Sequence, residues 1–502
     1  MIGRAILAAG LSALVLALGG CGGGDDEAAG SNASVMIDGL FPEFDRAEAR
    51  YVSRCGRGAT PIRVEAGPQT TVAVGSAEPS GGEIEVDPGV RPGEDFPIVV
   101  HAADTRETYR VRCLPADFPS WKFEELGPID PGLFVVSFRP SRDARPWVIV
   151  FDHEGVPRWW YTPRSRALWA QVLDGGTVSW ARSFGDGYGL DPRMAHEVRS
   201  VSGRLVRTVR TKGEIVDGHE FRELENGNVL VDTYAPGGRV DLSRFGGPES
   251  ASAVFAEVQE IDPEGRVVWR WNSRRHVGLE ETGRWWRNVL SNGKNTGGVA
   301  TFDPVHVNSI ELRGQDEVVV SMRHTDAIYG IERSTGHIVW KLGGTETPVS
   351  LRVVGDPAEK LFGGQHDARV GENGDLSVYD NGKDRPRRPR VVSYSLDLER
   401  RTATYLGQLN DPRIETSHCC GSARPLSGGG WLVSWGDNPL VTAFDRDERV
   451  AFRLRLPVST FRAVPVPEGA TSVAALDRGL ETMERGSAAG RRPSDRRPSP
   501  AG

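Results

Sequence analysis

His219-Glu220-Phe221-Arg222-Glu223-Leu224-Glu225-Asn226-Gly227-Asn228 returns, with few changes, as His366-Asp367-Ala368-Arg369-Val370-Gly371-Glu372-Asn373-Gly374-Asp375. Each copy places a histidine, an acid, an apolar residue and an arginine before Glu-Asn-Gly. Asn-Gly is a strong two-residue hairpin signal, because the turn needs positive φ at both central positions. Looser relatives begin at Leu168 (through Gly176), at His306 (through Gly314) and near His418 (through Gly429). A second unit runs Phe151-Asp152-His153-Glu154-Gly155…Trp159, Ile261-Asp262-Pro263-Glu264-Gly265…Trp269 and Ile331-Glu332-Arg333-Ser334-Thr335-Gly336…Trp340, with a looser Phe444-Asp445-Arg446-Asp447. It reads as an acid-led turn between half-buried strands. Recurring hairpin pairs predict an all-β chain built as a six-bladed β-propeller over 130–477. The copies start near 133, 168, 219, 306, 366 and 418. A late strand at Phe461–Val466 is expected to pair with the first blade and close the ring. Long inserts interrupt the spacing at Asp241–Ser252 and Gly278–Thr301.

Composition agrees. The chain has 502 residues, 38% hydrophobic and 26% charged, so it has the makings of packed cores. Gly (61) and Pro (33) supply many turns. A net charge of −7 without a Lys/Arg stripe argues against nucleic acid as a partner.

The ends read differently. Arg4, the apolar run Ala5–Leu18 and Leu18-Gly19-Gly20-Cys21 resemble a bacterial lipoprotein signal over 1–20. Cys21 is then the lipidated first residue and 21–33 a flexible tether. The expected location is extracytoplasmic, lipid-anchored to the outer face of the bacterial cell membrane. Residues 34–115 carry short strands between Pro/Gly turns, which predicts a small β-sandwich ahead of the propeller. Its last strands resemble cadherin-like modules, and it reads as a spacer or the contact of a homodimer. Outside the cytosol thiols tend to pair. Cys55 and Cys113 are expected to cross-link the sandwich, while Cys419 and Cys420 are either a vicinal bridge or two thiols. Gly, Arg, Pro and Ser predict a disordered tail over 478–502.

The repeat phase points to a site. His219, His306 and His366 each stand eight residues before a turn glycine, at Gly227, Gly314 and Gly374. All three are expected at one mouth of the central channel. Clustered imidazoles serve either metal binding or group transfer. Arg323, one strand beyond His306, repels a cation but grips a tetrahedral anion, and Asn308 adds a neutral donor. A sulfate or phosphate ester is the expected class of substrate, with no metal and no cofactor.

Further blocks extend the picture: Asp303-Pro304-Val305-His306-Val307-Asn308-Ser309-Ile310, Ser321-Met322-Arg323-His324-Thr325-Asp326, Thr335-Gly336-His337-Ile338-Val339-Trp340-Lys341-Leu342-Gly343-Gly344, Gln365-His366-Asp367-Ala368-Arg369, Tyr379-Asp380-Asn381-Gly382 and Trp431-Leu432-Val433-Ser434-Trp435-Gly436. In this order they resemble the arylsulfate sulfotransferase family, six-bladed propellers of the bacterial envelope. The resemblance implies PAPS-independent transfer of a sulfuryl group from an aryl sulfate donor to a phenolic acceptor, by ping-pong chemistry through a sulfo-histidine. It assigns the nucleophile to His366, catalytic support to His219, His306 and Arg323, and substrate binding to Asn308. Trp285, Trp286 and Tyr188, in the inserts, are candidate platforms for an aryl ring. Two other readings stand beside this one: a non-catalytic envelope propeller that binds an anionic ligand, and a metal-dependent hydrolase or lyase.

Overall fold

A computed structural model describes residues 35–489 apart from 56–60, 130–131, 139–144, 185–190 and 297–298. The expected signal, Cys21, the tether to 33, Tyr188 and the tail beyond 489 lie outside the described residues. Among the described residues no helix is long and apolar enough to cross a membrane.

The N-terminal unit consists of two sheets. Val35–Asp38, Ile62–Ala66 and Gly82–Val86 form one; Arg50–Arg54, Thr105–Leu114, Asp95–Ala102 and Thr70–Val74 form the other. Their strands alternate as a half-buried sheet requires. Ile62 and Val64 face inward while Arg63 and Glu65 face out. Ile37, Tyr51, Val64, Val72, Phe96, Ile98 and Val111 share one apolar core. The expected bridge between Cys55 and Cys113 is not formed: both are buried thiols. They stand side by side, and the Cys55 thiol together with burial pushes Cys113 well above the ordinary thiol range.

Among the described residues six sheets follow, each led by a strand deep in the molecule: Phe134–Phe138, Arg166–Val172, Val216–Glu223, Val307–Arg313, His366–Val370 and Ser422–Pro425. Successive sheets touch around a circuit. Phe134–Phe138 meets Arg166–Val172, and Val216–Glu223 meets the second sheet, Val307–Arg313, and so on to Ser422–Pro425. That strand packs on Thr460–Pro465, which pairs antiparallel with Phe134–Phe138 and closes the circuit as expected. The turns form for the reasons the sequence suggests. Asp152 accepts the Glu154 and Val156 N–H groups (3.0 and 2.8 Å), and Asp262 accepts that of Arg266 (2.7 Å). Gly227 and Gly374 take φ of +80° and +83°, where a side chain would be strained.

Two boundaries need correction. The circuit begins before 130, since Lys122–Glu125 adds an outer strand to the sixth sheet by pairing with Val450–Arg455. The expected disordered tail from 478 is instead helical to its end among the described residues, in Val473–Ala489. Leu476 and Leu480, four apart, are fully buried on one face of this helix. Asp477 pairs with Arg112 of the N-terminal unit (3.2 Å). The Arg/Pro/Ser bias belongs to the residues after 489.

At the centre of the circuit lies a buried network of charge. Arg369 contacts Glu220 (2.5 Å) and Asp367 (2.6 Å); Arg424 contacts Asp367 (2.8 Å); Arg462 contacts Glu220 (3.1 Å). Arg369 also reaches Glu311 (3.6 Å), and Trp169 of the second sheet lies under the Arg462 guanidinium at 4.5 Å. Removing one member of such a network leaves buried charge uncompensated, at a cost of about 3–5 kcal/mol. Arg369→Met is therefore expected to lower the urea midpoint by that amount of stability. An unchanged midpoint would show that the network contributes nothing to holding the sheets together.

Candidate active site

The three phase-matched histidines converge, by different local means. His219 lies within its strand Val216–Glu223. His306 precedes its strand with φ +53°, held there because Asp303 Oδ1 accepts both the Val305 and His306 N–H groups (3.2 and 2.8 Å). His366 opens the strand His366–Val370, and Asp367 follows with φ +52°. The turn Arg323–Thr325 is stapled alongside, with the Arg323 N–H donating to His306 O (2.8 Å) and the His324 N–H to Val305 O (3.0 Å).

The rings then meet. His219 and His306 stand 5.0 Å apart between centroids, and His306 and His324 4.8 Å. Phe461 lies between His219 (5.7 Å) and His366 (6.2 Å). His418, the loosest copy, does not join them: its ring is exposed and pairs with Asp437 (3.0 Å). Its carbonyl does take part, accepting from Arg323 Nη2 (2.9 Å).

Every ring is held through Nδ1, and the partner differs. His219 Nδ1 meets Asp217, and His306 Nδ1 meets Asp303 Oδ2 (2.7 Å), with the Tyr234 hydroxyl at 3.3 Å. His324 Nδ1 donates to Asp303 O (2.8 Å), and its Nε2 accepts from Arg323 Nη1 (2.9 Å). His366 Nδ1 donates to Gly364 O (3.1 Å), and its Nε2 accepts the Cys420 N–H (3.3 Å). These bonds place the hydrogen of His366 on Nδ1 and the lone pair on Nε2. Asn381 fixes both flanks of that ring by donating to Gly364 O (2.7 Å) and Cys420 O (3.1 Å). Cys419 and Cys420 are bridged to one another.

The electrostatics follow. Burial, and then the Arg323 guanidinium, hold His366 well below the ordinary imidazole value. Burial does the same to His324. Burial also lowers His306, against the pull of the Asp303 carboxylate. Burial would raise Asp217, yet the His219 ring keeps it down at about 2. Asp232 is pushed well above the carboxylate range by burial and by Asp217.

Several expectations change in detail. Asn308 Nδ2 donates to Gln365 O (2.8 Å), so its amide holds the peptide in front of His366. Trp286 stacks on Phe245 (4.5 Å), and the Arg323 guanidinium lies over Trp285 (4.2 Å). His324, Asp303, Asp217 and Asn381 were not singled out by repeat phase. The one signal for His324 was its position next to Arg323.

A family described as arylsulfotransferase (ASST) has a model that matches residues 170–456. The chain belongs to this family. No curated protein matches it significantly. Among solved structures it is similar to a protein of unknown function from Bacteroides caccae (13% identity, 68% of this chain and 100% of that one, TM-score 0.41). It is also similar to virginiamycin B lyase from Staphylococcus aureus (10% identity, 70% and 91%, TM-score 0.32) and to Kluyveromyces lactis Hsv2 (11%, 86% and 100%, TM-score 0.31). At TM-scores below 0.5 these likenesses carry no argument.

Among the described residues two groups have donor atoms close enough to surround a cation: Asp303, His306 and His324, and Asp217, His219 and Asp232. In the first, a guanidinium already donates to His324 Nε2, so a cation would face a fixed positive charge.

The lowered imidazoles set an acid response. Histidines of the unfolded chain take up protons near pH ~6.5. In the folded chain His306, His324 and His366 resist protonation, and burial lowers His196 to about 4. Stability present above pH ~6.5 is thus lost as pH falls toward the folded values. The thermal midpoint is expected to drop between pH ~6.5 and ~4, and His196→Phe to flatten that slope. A midpoint that holds steady across this interval would contradict the neutral cluster.

Proposed function

We propose that this chain is a PAPS-independent aryl sulfotransferase, that it moves a sulfuryl group from an aryl sulfate to a phenol, and that His366 carries the group between them. The observation that carries the reading is the clamped His366 ring, with Nδ1–H on the Gly364 carbonyl and the lone pair on Nε2. A nucleophile needs a neutral ring, and burial beside Arg323 supplies one.

In the first half-reaction the Nε2 lone pair attacks sulfur and the sulfur–aryloxy bond breaks. The phenolate leaves and takes a proton from His219. The ring is left with Nε2 bonded to the sulfonate and a positive charge, which the Nδ1–H bond to Gly364 O stabilises. In the second half the acceptor phenol attacks sulfur, its proton returns to the same imidazole, and the nitrogen–sulfur bond breaks. The division of roles follows from the partners. His219, backed by the Asp217 carboxylate, is suited to exchanging protons, and His306, on Asp303, to supporting it. Rings backed by carbonyls, His324 and His366, are suited to staying neutral. Arg323 is the donor for the equatorial sulfuryl oxygens, where charge develops in a loose in-line transition state. Such a donor is worth about 3–4 kcal/mol.

In this reading the six sheets are the blades of a six-bladed propeller and the two N-terminal sheets form a cadherin-like sandwich. The lipoprotein-like leader would anchor both to the outer face of the membrane.

Incubation with 4-nitrophenyl sulfate and a phenol is expected to release nitrophenolate with parallel double-reciprocal plots. His366→Ala is expected to lower the rate by a factor on the order of 10⁴–10⁶, and Arg323→Met by about 10²–10³. Absence of release from the folded protein, or full activity in His366→Ala, would overturn the proposal.

A further inference from the structure

Asp326 belongs to none of the rings, yet it ties together the supports of two of them. Its backbone has φ +47°, and its N–H closes the turn that carries Arg323 by donating to Arg323 O (3.2 Å). Its carboxylate is buried and surrounded by donors. Oδ1 accepts from the Gly364 N–H (2.8 Å), Trp285 Nε1 (2.9 Å) and Arg284 Nη2 (3.1 Å). Oδ2 accepts from Arg284 Nε (2.6 Å) and Arg385 Nη2 (3.0 Å).

Two of these contacts lead to the reacting groups. Gly364 is the residue whose carbonyl accepts from His366 Nδ1. The Asp326–Gly364 bond therefore fixes the peptide plane next to that carbonyl. Trp285 is the ring on which the Arg323 guanidinium lies at 4.2 Å, and its indole N–H is held by Asp326. A Cβ built on Gly364 would sit 3.1 Å from Trp285 and 3.6 Å from Arg323 Nε, so the three groups are packed together without slack.

We propose that Asp326 is a positioning residue that sets the His366 tautomer through Gly364 and the Arg323 guanidinium through Trp285. Every donor around it requires an acceptor, and a carboxylate accepts on both oxygens. An amide of the same shape accepts on one oxygen and turns N–H₂ toward a donor on the other side. It also leaves Arg284 and Arg385 without their shared anion. The consequence is a Gly364 peptide held from the Asn381 side alone, and a His366 ring whose hydrogen is less strictly kept on Nδ1 and passes in part to Nε2. Protonated at Nε2, that ring has no lone pair to offer sulfur.

This inference rests on His366 as the nucleophile, but its test is separable from that reading. Nitrogen NMR of the histidine-labelled full chain reports the His366 tautomer without substrate. Asp326→Asn is expected to move His366 from the single Nδ1–H form to a mixture. It is expected to lower kcat by about 10–100-fold, the usual scale for a partner behind a reactive imidazole, with KM for the aryl sulfate changed far less. Asp326→Glu restores the charge and is expected to recover part of kcat. Should Asp326→Asn fail to fold, Trp285→Phe carries the test. It removes the indole N–H and part of the ring beneath Arg323 but leaves the Asp326–Gly364 bond, so kcat is expected to fall while the His366 tautomer stays as in the native chain. A folded Asp326→Asn with the native tautomer and native kcat would overturn the inference, as would Trp285→Phe with unchanged kcat. A native chain without turnover but with a tautomer that shifts in Asp326→Asn would overturn the function and leave the positioning role intact.

Discussion

The arrangement depends on the buried ion network at the centre of the circuit. Glu220, Glu311, Asp367, Arg369, Arg424 and Arg462 come from five of the six sheets, and Trp169 brings in the remaining one. Buried ion pairs are poor sources of net stability compared with apolar packing, but they are intolerant of a changed partner. A shift of one leading strand would part a carboxylate from its guanidinium in a water-poor interior. The network therefore acts on register. Three site residues are immediate neighbours of its members: His219 precedes Glu220, His366 precedes Asp367, and Phe461 precedes Arg462. Fixing the charges fixes the rings.

Charge is divided between two levels. At the level of the network each carboxylate is matched; Glu220 is held at about 2 by Arg369 and Arg462 against the effect of burial. At the level of the rings burial keeps His306, His324 and His366 below the ordinary imidazole value. The Arg323 guanidinium beside these rings suits a tetrahedral anion. Ionised carboxylates enter this level only behind His219 and His306, where they touch Nδ1.

Much of this was legible in the sequence, for a physical reason. A hairpin repeat forces equivalent residues to equivalent places in a circuit of sheets, so the spacing to Gly227, Gly314 and Gly374 located three rings at once. Arg323 was legible because it follows one of those copies by a single strand. What stayed hidden depends on non-repeated contacts. Asp303, Asp217 and Asp326 act through hydrogen bonds to particular neighbours, and nothing in their spacing marks them. The helix Val473–Ala489 was missed because the strong bias of the residues after it masked Leu476 and Leu480. Cys55 and Cys113 were expected to bridge on the strength of their number and setting, but the structure holds them as adjacent thiols. Trp285 was one candidate platform for an aryl ring, and its ring lies against Arg323.

The central claim is that the Nε2 lone pair of His366 receives the sulfuryl group. Mass spectrometry of the intact chain after exposure to an aryl sulfate donor alone, followed by peptide mapping, tests it most directly. The account predicts one added sulfonate, located on His366 and discharged when a phenol is supplied. An unmodified protein that nonetheless turns over donor and acceptor together, or a sulfonate found on another residue, would contradict it.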